Sequence, residues 1–213
     1  MKLTKEMLLL YAVTDRSWVG KKTLYEQIED ALKGGVTCLQ LREKNLPEEE
    51  FVREAIKVKE ICRRYNVPLI INDNAEVALK SGADGVHVGI EDTPVSKLRS
   101  KLPEGFIIGA TAKTPMQAQA AEKAGADYIG VGAVFPSPTK KNAIRITKEQ
   151  LQEICSCVSI PSVAIGGISL DNASELTGGG MNGIAVVSAI FASDDIQSAA
   201  AELKEKAAAV IKG

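Results

Sequence analysis

ALKSGADGVHVG, residues 78–89, is one of four similar stretches that decide the fold of this chain. The other three are ALKGGVTCLQLR (31–42), AEKAGADYIGVG (121–132) and ELTGGGMNGIAVVS (175–188). Each combines the end of a helix, a glycine suited to the left-handed position after a helix, and an apolar strand. The glycines are Gly35, Gly82, Gly125 and Gly180. Successive glycines are roughly 50 residues apart, which is room for two βα units each.

Eight apolar segments indicate strands, and amphipathic segments such as 48–65 and 114–124 lie between them. The strands are predicted at 8–15, 36–43, 68–73, 84–89, 106–111, 127–132, 161–167 and 183–189. Near-continuous apolar strands that alternate with amphipathic helices are typical of a parallel sheet covered on both faces. We therefore predict an α/β fold in which residues 1–213 form a single (β/α)8 TIM barrel domain. An open doubly wound sheet is the structural alternative.

The composition limits the classes of protein. The 213 residues carry a net charge of −1 and a pI near 6.0, without the basic excess of a nucleic-acid-binding protein. The apolar run Met7–Val13 is too short for a signal peptide core, and no stretch approaches the roughly 18 apolar residues of a membrane span. We expect no nucleic acid or membrane partner, a cytoplasmic location and reduced cysteines.

Polar residues alternate at the end of the second predicted strand. Gln40, Arg42 and Lys44 share one face while strand geometry lasts, with successive members about 6.6 Å apart. Two cations and an amide at this spacing can span a diphosphate, and inward polar groups are costly without a ligand. Leu39 and Leu41 would then pack against the outer helices. An ordinary charged edge facing outward is the alternative.

Carboxylates follow the next two predicted strands. Asp73 ends the third strand and Asp92 follows the fourth, so the two lie on adjacent loops of the barrel and could share one Mg²⁺ ion. A helix N-cap is an equal interpretation of Asp92, because Thr93-Pro94 follows it, and spacing alone does not separate the two interpretations. His87, the single histidine of the sequence, is interpreted as filling space in a barrel layer and is given no role.

Two further regions have the composition of anion-binding loops. The stretch 135–141, FPSPTKK, combines prolines, hydroxyls and cations, although a solvated loop would look the same. The segments 165–168 and 186–189 follow the seventh and eighth strands, where many such barrels bind phosphate through backbone N–H groups and a helix N-terminus. The chain therefore has the polar groups for two anion sites, without a nucleophile paired with a histidine.

Taken together, these motifs resemble those of the thiamine-phosphate synthase family. The similarity includes YAVTD (11–15), QLREK (40–44), IIND (70–73), GADGVHVG (82–89), IIGAT (107–111), GADYIGVGAVFPSPTKK (125–141), AIGGI (164–168) and GIAVVSAI (183–190). These motifs cover most of the chain, in order. The QLREK run, the two aspartates and the Thr139-Lys140 pair are the specific part of the resemblance.

The resemblance implies a Mg²⁺-dependent transferase of thiamine biosynthesis. Such an enzyme joins 4-amino-2-methyl-5-hydroxymethylpyrimidine diphosphate to a thiazole phosphate and releases diphosphate by a dissociative mechanism. It implies that the pyrimidine diphosphate is bound by Gln40, Arg42, Lys44, Asn72, Thr111 and Lys140, with Arg42, Lys44, Thr111 and Lys140 also acting in catalysis. It implies that Mg²⁺ is held by Asp73 and Asp92, and that the thiazole phosphate is bound by Ser137, Thr139, Gly167, Val187 and Ser188.

Three positions depart from the usual pattern of the family. Ile90 stands where Gln is usual, Thr111 where Ser is common, and Ser137 where Thr is common. The hydroxyl exchanges keep a hydrogen-bonding group, whereas Ile90 removes one. Two alternatives stay open: a related thiazole tautomerase, which typically lacks the second aspartate and the Thr-Lys pair, and a phospho-ligand sensor without catalysis. The sequence leaves the oligomeric state open, and a homo-oligomer is compatible with it.

Overall fold

The computed structural model describes residues 2–20, 22–136 and 144–213. In these residues eight parallel strands follow one another in chain order around a closed barrel, and the last strand pairs with the first. The strands are β1 (Leu10–Val13), β2 (Cys38–Leu41), β3 (Leu69–Asn72), β4 (Gly85–Val88), β5 (Ile107–Ala112), β6 (Tyr128–Gly132), β7 (Ser162–Ile165) and β8 (Gly183–Val186). The closure confirms the predicted (β/α)8 barrel and excludes the open sheet.

Helices surround the barrel and connect most of the strands. They are α1 (Leu24–Lys33), α2 (Glu48–Arg64), α3 (Ala75–Ser81), α4 (Val95–Arg99), α5 (Pro115–Lys123), α6 (Lys148–Ser156), α7 (Ser188–Phe191) and α8 (Ile196–Lys212). After β7 the repeat predicts the end of a helix, but the structure has only a 3-10 turn at Ala173–Leu176. Three glycines at 178–180 follow this turn, and glycine is a poor helix former. Among the described residues, no helix combines the length and apolarity needed to span a membrane.

The strands are shorter than the apolar runs that predicted them. The run 8–15, for example, contains a strand only at Leu10–Val13, whereas Leu8 is fully buried within a 3-10 turn. Burial of apolar side chains therefore continues beyond the hydrogen-bonded ladder, and a hydrophobic pattern alone overestimates strand length. The residues left beyond the carboxyl ends of the strands belong to the loops that surround the site.

Alternating side chains of the strands build two apolar layers. The layer inside the barrel contains Leu8, Tyr11, Val13, Cys38, Ile70, Ile107, Tyr128, Val163 and Ala185. The larger layer lies between strands and helices and includes Leu39 and Leu41, as predicted. The four glycines of the repeat all have positive φ, with 99° at Gly35, 68° at Gly82, 95° at Gly125 and 77° at Gly180. Among the described residues, side chains thus fill the barrel interior, and a cavity opens at its carboxyl end.

Candidate active site

A cavity of about 190 Å³ opens at the carboxyl ends of the strands, the end of such barrels that carries the active site. Residues predicted from the sequence that line this cavity are Gln40, Arg42, Asn72, Thr111, Gly167, Val187 and Ser188. Asp15, His87 and Lys113 also line it, although the sequence analysis gave them no role. One concave site therefore brings together side chains from the loops or ends of most strands.

Arg42 is held in place by residues that follow β1. Its backbone N–H donates to Thr14 Oγ1 at 3.0 Å, and its Nη1 donates to Asp15 Oδ2 at 3.0 Å. Burial raises the pKa of Asp15, but hydrogen bonds from Ser17 and the charge of Arg42 outweigh the effect of burial. The pKa of Asp15 therefore lies below its ordinary value of 3.8. An ionised Asp15 thus orients the guanidinium. Because β2 already ends at Leu41, Arg42 is fixed by these contacts and not by strand geometry.

A second polar group lies beside the cavity, where the loops after β3 and β4 meet. Lys44 Nζ donates to Asp73 Oδ2 at 2.6 Å, and the side-chain amide of Asn72 donates to the same oxygen at 2.5 Å. Asp73 has a φ of 62°, a left-handed conformation that Asp adopts more readily than most residues. Asn72 lines the cavity and also contacts Asp73, so it joins this group to the cavity.

Asp73 and Asp92 are close enough to change each other's protonation. Burial and the neighbouring Asp73 raise the pKa of Asp92, although the Gly89 N–H lowers it by donating to Asp92 Oδ2 at 2.7 Å. Burial also raises the pKa of Asp73, but the hydrogen bonds from Lys44 and Asp92 and the charge of Lys44 outweigh it, so the pKa falls below 3.8. Two carboxyl groups that are close enough to share a hydrogen bond are also close enough to share a divalent cation.

The pair does not form a complete metal cage by itself. Within the described ranges, no group of three or more His, Cys, Asp or Glu side chains is arranged to hold a metal ion. This agrees with the usual binding of Mg²⁺ by one or two carboxylates together with substrate phosphates and water. The alternative role of Asp92 as a helix N-cap is wrong, because α4 is preceded by Pro94 at the N-cap position, and Asp92 instead closes the turn that starts at Gly89.

The loops after β7 and β8 form the opposite wall of the cavity. Gly166 and Gly167 have φ values of 106° and 65°, and a Cβ added at Gly167 would lie 2.1 Å from the carbonyl oxygen of Pro136. Val187 and Ser188 come from the end of β8 and the start of α7. The close approach of backbone to backbone explains the glycine pair and leaves main-chain groups facing the cavity.

Three predicted site residues, Ser137, Thr139 and Lys140, lie outside the described residues, as does Lys141. Their roles remain predictions from the sequence. Ile90 is described and is 48% exposed, so the position that departs from the family pattern is not part of the core.

The sequence analysis missed a hydrogen-bond network at the floor of the cavity. Tyr11, Tyr128 and His87 are joined to one another and reach two of the predicted residues, Gln40 and Thr111. The signal in the sequence is weak, because each of these three residues also reads as an aromatic filler of a strand. The signal that the sequence does offer is the inward position of Tyr11 in YAVTD and of His87 in GVHV. Both lie next to strand ends that carry polar residues.

The fold and the cavity define this chain as a (β/α)8 barrel enzyme with its polar groups gathered at the carboxyl end of the barrel. A family model described as thiamine monophosphate synthase matches residues 10–190. The chain is 49% identical over 196 residues to the thiamine-phosphate synthase of Ruminiclostridium cellulolyticum, covering 92% of this chain and 93% of that protein. It is 50% identical over 184 residues to the thiamine-phosphate synthase of Methanobrevibacter smithii, covering 86% and 88% of the two chains.

A solved structure agrees with these relatives. The thiamine phosphate pyrophosphorylase of Pyrococcus furiosus superimposes with a TM-score of 0.89 at 39% identity, over 97% of this chain and 98% of that one. The chain belongs to the thiamine-phosphate synthase family, and it is a transferase of thiamine biosynthesis.

Proposed function

We propose that the enzyme condenses 4-amino-2-methyl-5-hydroxymethylpyrimidine diphosphate with a thiazole phosphate, giving thiamine phosphate and diphosphate. The observation that carries this proposal is the division of the cavity into two unlike walls. One wall has Arg42 and Asn72, with the Lys44–Asp73–Asp92 group beside it. The other wall is the glycine loop with Val187 and Ser188. A diphosphate with a divalent cation suits the first wall and a monophosphate suits the second.

The diphosphate end is assigned to cationic side chains. Arg42 is oriented by Asp15 and would donate to phosphate oxygens, for which the guanidinium fork is well matched. Lys44 would move from Asp73 toward the diphosphate, and from the sequence resemblance Lys140 would join it. Asp73 and Asp92 would hold Mg²⁺, which when bound neutralises charge on the diphosphate. Charge on the leaving group grows as its bond breaks, so these cations stabilise the transition state more than the ground state.

The remaining contacts place the two organic rings. Gln40 and Thr111 line the cavity between the two walls and would contact the pyrimidine. Gly167, Val187 and Ser188, together with Ser137 and Thr139 from the resemblance, would bind the thiazole phosphate. Once the diphosphate departs, the thiazole nitrogen attacks the exocyclic methylene of the pyrimidine and closes the new C–N bond. None of these steps needs a strong general base, because the cations stabilise the charge that develops on the departing diphosphate.

The test is Mg²⁺-dependent release of diphosphate by the purified chain, measured with each substrate alone and with both. Diphosphate and thiamine phosphate formed in equal amounts, only with both substrates, is the expected result. Isomerisation of a thiazole substrate without diphosphate release would instead assign a tautomerase. Tight binding of either substrate without turnover would assign a sensor.

We also propose a cellular location for the reaction. Phosphorylated substrates are retained inside cells, so the proposed reaction takes place in the cytoplasm. A single domain spanning residues 1–213 and a homo-oligomeric state remain predictions.

A further inference from the structure

Two consecutive residues of the loop after β1 pair with two consecutive residues of the loop after β2. Asp15 Oδ2 accepts a hydrogen bond from Arg42 Nη1 at 3.0 Å, and Arg16 Nε donates to Glu43 Oε2 at 2.8 Å. Asp15 and Arg42 line the cavity, whereas Arg16 and Glu43 lie outside its lining. The first pair therefore faces the cavity, and the second pair joins the same two loops from behind.

Asp15 also fixes the place of Arg16. Its Oδ1 accepts from the backbone N–H of Ser17 at 2.9 Å and caps the 3-10 turn Arg16–Trp18. One carboxylate thus holds the turn that carries Arg16 with one oxygen and orients Arg42 with the other. The positions of Arg16 and Arg42 are therefore coupled through a single side chain.

Arg16 holds two acidic side chains at once. Its Nε donates to Glu43, and its Nη2 donates to Glu54 of α2. The side chains of Glu43 and Glu54 are only 3% and 12% exposed, whereas that of Arg16 is 45% exposed. Mostly buried carboxyl groups need hydrogen-bond donors, because burial without them is costly. The planar guanidinium can serve both acids from a fixed fork, which the point-like ammonium of lysine lacks.

The anchor at Glu43 sets the course of the loop that carries two cations. Glu43 stands between Arg42 and Lys44 in the chain, and Lys44 Nζ donates to Asp73 Oδ2 at 2.6 Å. Without Arg16, the Glu43 carboxyl would have to turn toward water for its hydrogen bonds. The backbone on both sides of Glu43 would move with it, so Arg42 and Lys44 would leave their places together.

We propose that Arg16 is a positioning residue for diphosphate binding, which acts through Glu43 and Glu54 on the loop that carries Arg42 and Lys44. This inference rests on the proposed function, which assigns the diphosphate to these two cations. It makes a demand that a general loss of stability does not make. Binding of diphosphate should weaken, whereas the thiazole phosphate on the opposite wall of the cavity should bind as before.

The test compares Arg16→Met with the wild type, because methionine keeps an unbranched stem and removes the guanidinium. Binding of inorganic diphosphate in the presence of Mg²⁺ is measured by titration calorimetry. We expect Kd to rise about 10-fold, the value of one lost hydrogen bond to the diphosphate. The KM for the pyrimidine diphosphate should rise by a similar factor, and the KM for thiazole phosphate should stay unchanged.

Arg64→Met is the matched control for this test. It removes another arginine that pairs with a glutamate next to α2, because Arg64 Nη1 lies 3.3 Å from Glu29 Oε1 of α1. This pair lies outside the loops of the cavity. The variant should therefore keep the wild-type Kd for diphosphate and the wild-type KM for both substrates.

A second substitution separates positioning from general destabilisation. In Arg16→Met/Glu54→Gln, the amide introduced on α2 can donate to the Glu43 carboxyl and replace part of the lost anchor. We expect the Kd for diphosphate to fall back toward the wild-type value. If the two substitutions only loosened the chain, their effects would add and the Kd would rise further.

The inference is overturned by an unchanged Kd in folded Arg16→Met, by equal rises in KM for both substrates, or by a double variant that binds diphosphate more weakly than Arg16→Met. If Arg16→Met does not fold, Arg16→Lys takes its place and should show a smaller rise in Kd, and an unchanged Kd would count against the inference in the same way. A wild-type chain that binds diphosphate but forms no product would refute the proposed function and leave the positioning role to the calorimetry. A wild-type chain that does not bind diphosphate would refute the positioning role itself.

Discussion

Asp92 is the residue for which sequence and structure together give the sharpest prediction. We expect Asp92→Asn to lower turnover about 100-fold or more, because one carboxylate of the proposed Mg²⁺ pair and its electrostatic contribution are lost. Higher Mg²⁺ should restore part of the rate, since Asp73 remains. The measurement is the initial rate of product formation across a Mg²⁺ titration.

The control for Asp92 is its neighbour Glu91, an exposed carboxylate that is removed in Glu91→Gln. This variant should match the wild type at all Mg²⁺ concentrations. Full activity of Asp92→Asn at low Mg²⁺ would disprove the metal assignment. Equal losses in both variants would mean that only the net charge of the loop matters.

Gly167 is a second residue for which the structure predicts the effect of a substitution, because an added Cβ would have no room. In Gly167→Ala the new Cβ would lie 2.1 Å from the Pro136 carbonyl oxygen, and φ is 65°. We expect the free energy of unfolding to fall by ~2–4 kcal/mol, from left-handed strain and displaced backbone. The KM for thiazole phosphate should rise as the loop moves.

Gly178 is the control that separates left-handed backbone strain from the steric clash of the added Cβ. Its φ is 83°, but a Cβ there would have nothing within 4 Å. Gly178→Ala should therefore cost only the conformational strain, ~1 kcal/mol, and leave the KM unchanged. Denaturant unfolding and steady-state kinetics of both variants measure the difference. If the two alanines behave alike, the close approach at Gly167 is not what requires glycine.

At the scale of elements, an ionic cluster joins the β1, β2 and α2 regions. Arg16 Nε donates to Glu43 Oε2 at 2.8 Å, and Arg16 Nη2 donates to Glu54 Oε2. The other oxygen of each glutamate is buried without a hydrogen-bond partner among the described residues. Burial, together with Glu54, raises the pKa of Glu43 to about 7 in spite of Arg16. Glu43 lies between Arg42 and Lys44, so this cluster supports the loop that carries them.

The raised pKa fixes the sign of a pH effect on stability. The folded chain binds a proton at Glu43 more tightly than the unfolded chain, whose ordinary value is 4.5. The stabilisation is complete below about pH 4.5 and is lost as the pH rises through about 7. We expect Glu43→Gln to remove this loss, as measured by denaturant unfolding at several pH values from 4.5 to 8.

Glu60→Gln is the control for this prediction. Glu60 lies on the same helix, α2, and is exposed, so its removal should leave the pH dependence of the wild type unchanged. Parallel stability curves for Glu43→Gln and the wild type would contradict a proton held by Glu43.

At the scale of the whole molecule, ligand binding should stabilise the barrel. Residues from all eight strands and the loops that follow them converge on one cavity, so a ligand bound there binds only the folded chain. Diphosphate with Mg²⁺ at a hundredfold excess over Kd should add ~2.7 kcal/mol. For a chain of this size that raises Tm by about 5–10 °C in a thermal scan.

The Asp92→Asn variant tests where this stabilisation comes from. It should lose the part of the Tm shift that depends on Mg²⁺, whereas Glu91→Gln should keep it. An equal shift in Asp92→Asn and in the wild type would place the bound diphosphate away from the aspartate pair.

The amino-acid sequence alone predicts a parallel sheet covered on both faces and favours its closure into a barrel. Eight apolar runs separated by amphipathic helices, with glycines such as Gly82 at the turns, fit few folds other than a parallel sheet covered on both faces. Gln40 could be placed at the cavity because the carboxyl ends of parallel strands meet at one edge, whereas Asn72 and Thr111 were assigned to the site through the family resemblance. The sequence did not predict the exact strand ends, because buried apolar residues continue beyond the hydrogen-bonded strand. It did not predict the absence of a full helix after β7, because the glycines at 178–180 disfavour a helix where the repeat suggests one.

Which inward side chains meet one another is visible in the folded barrel and not in the sequence. Tyr11 and Tyr128 are 117 positions apart and lie on β1 and β6, which are not neighbours in the barrel. Their hydroxyls touch because the barrel is narrow and its strands are staggered, so side chains from opposite walls reach the same level. Alternation along a strand predicts that a side chain faces inward, but the level at which it sits depends on the register of all eight strands. The hydrogen-bond network of Tyr11, Tyr128 and His87 therefore belongs to the closed barrel and to no single segment of the sequence.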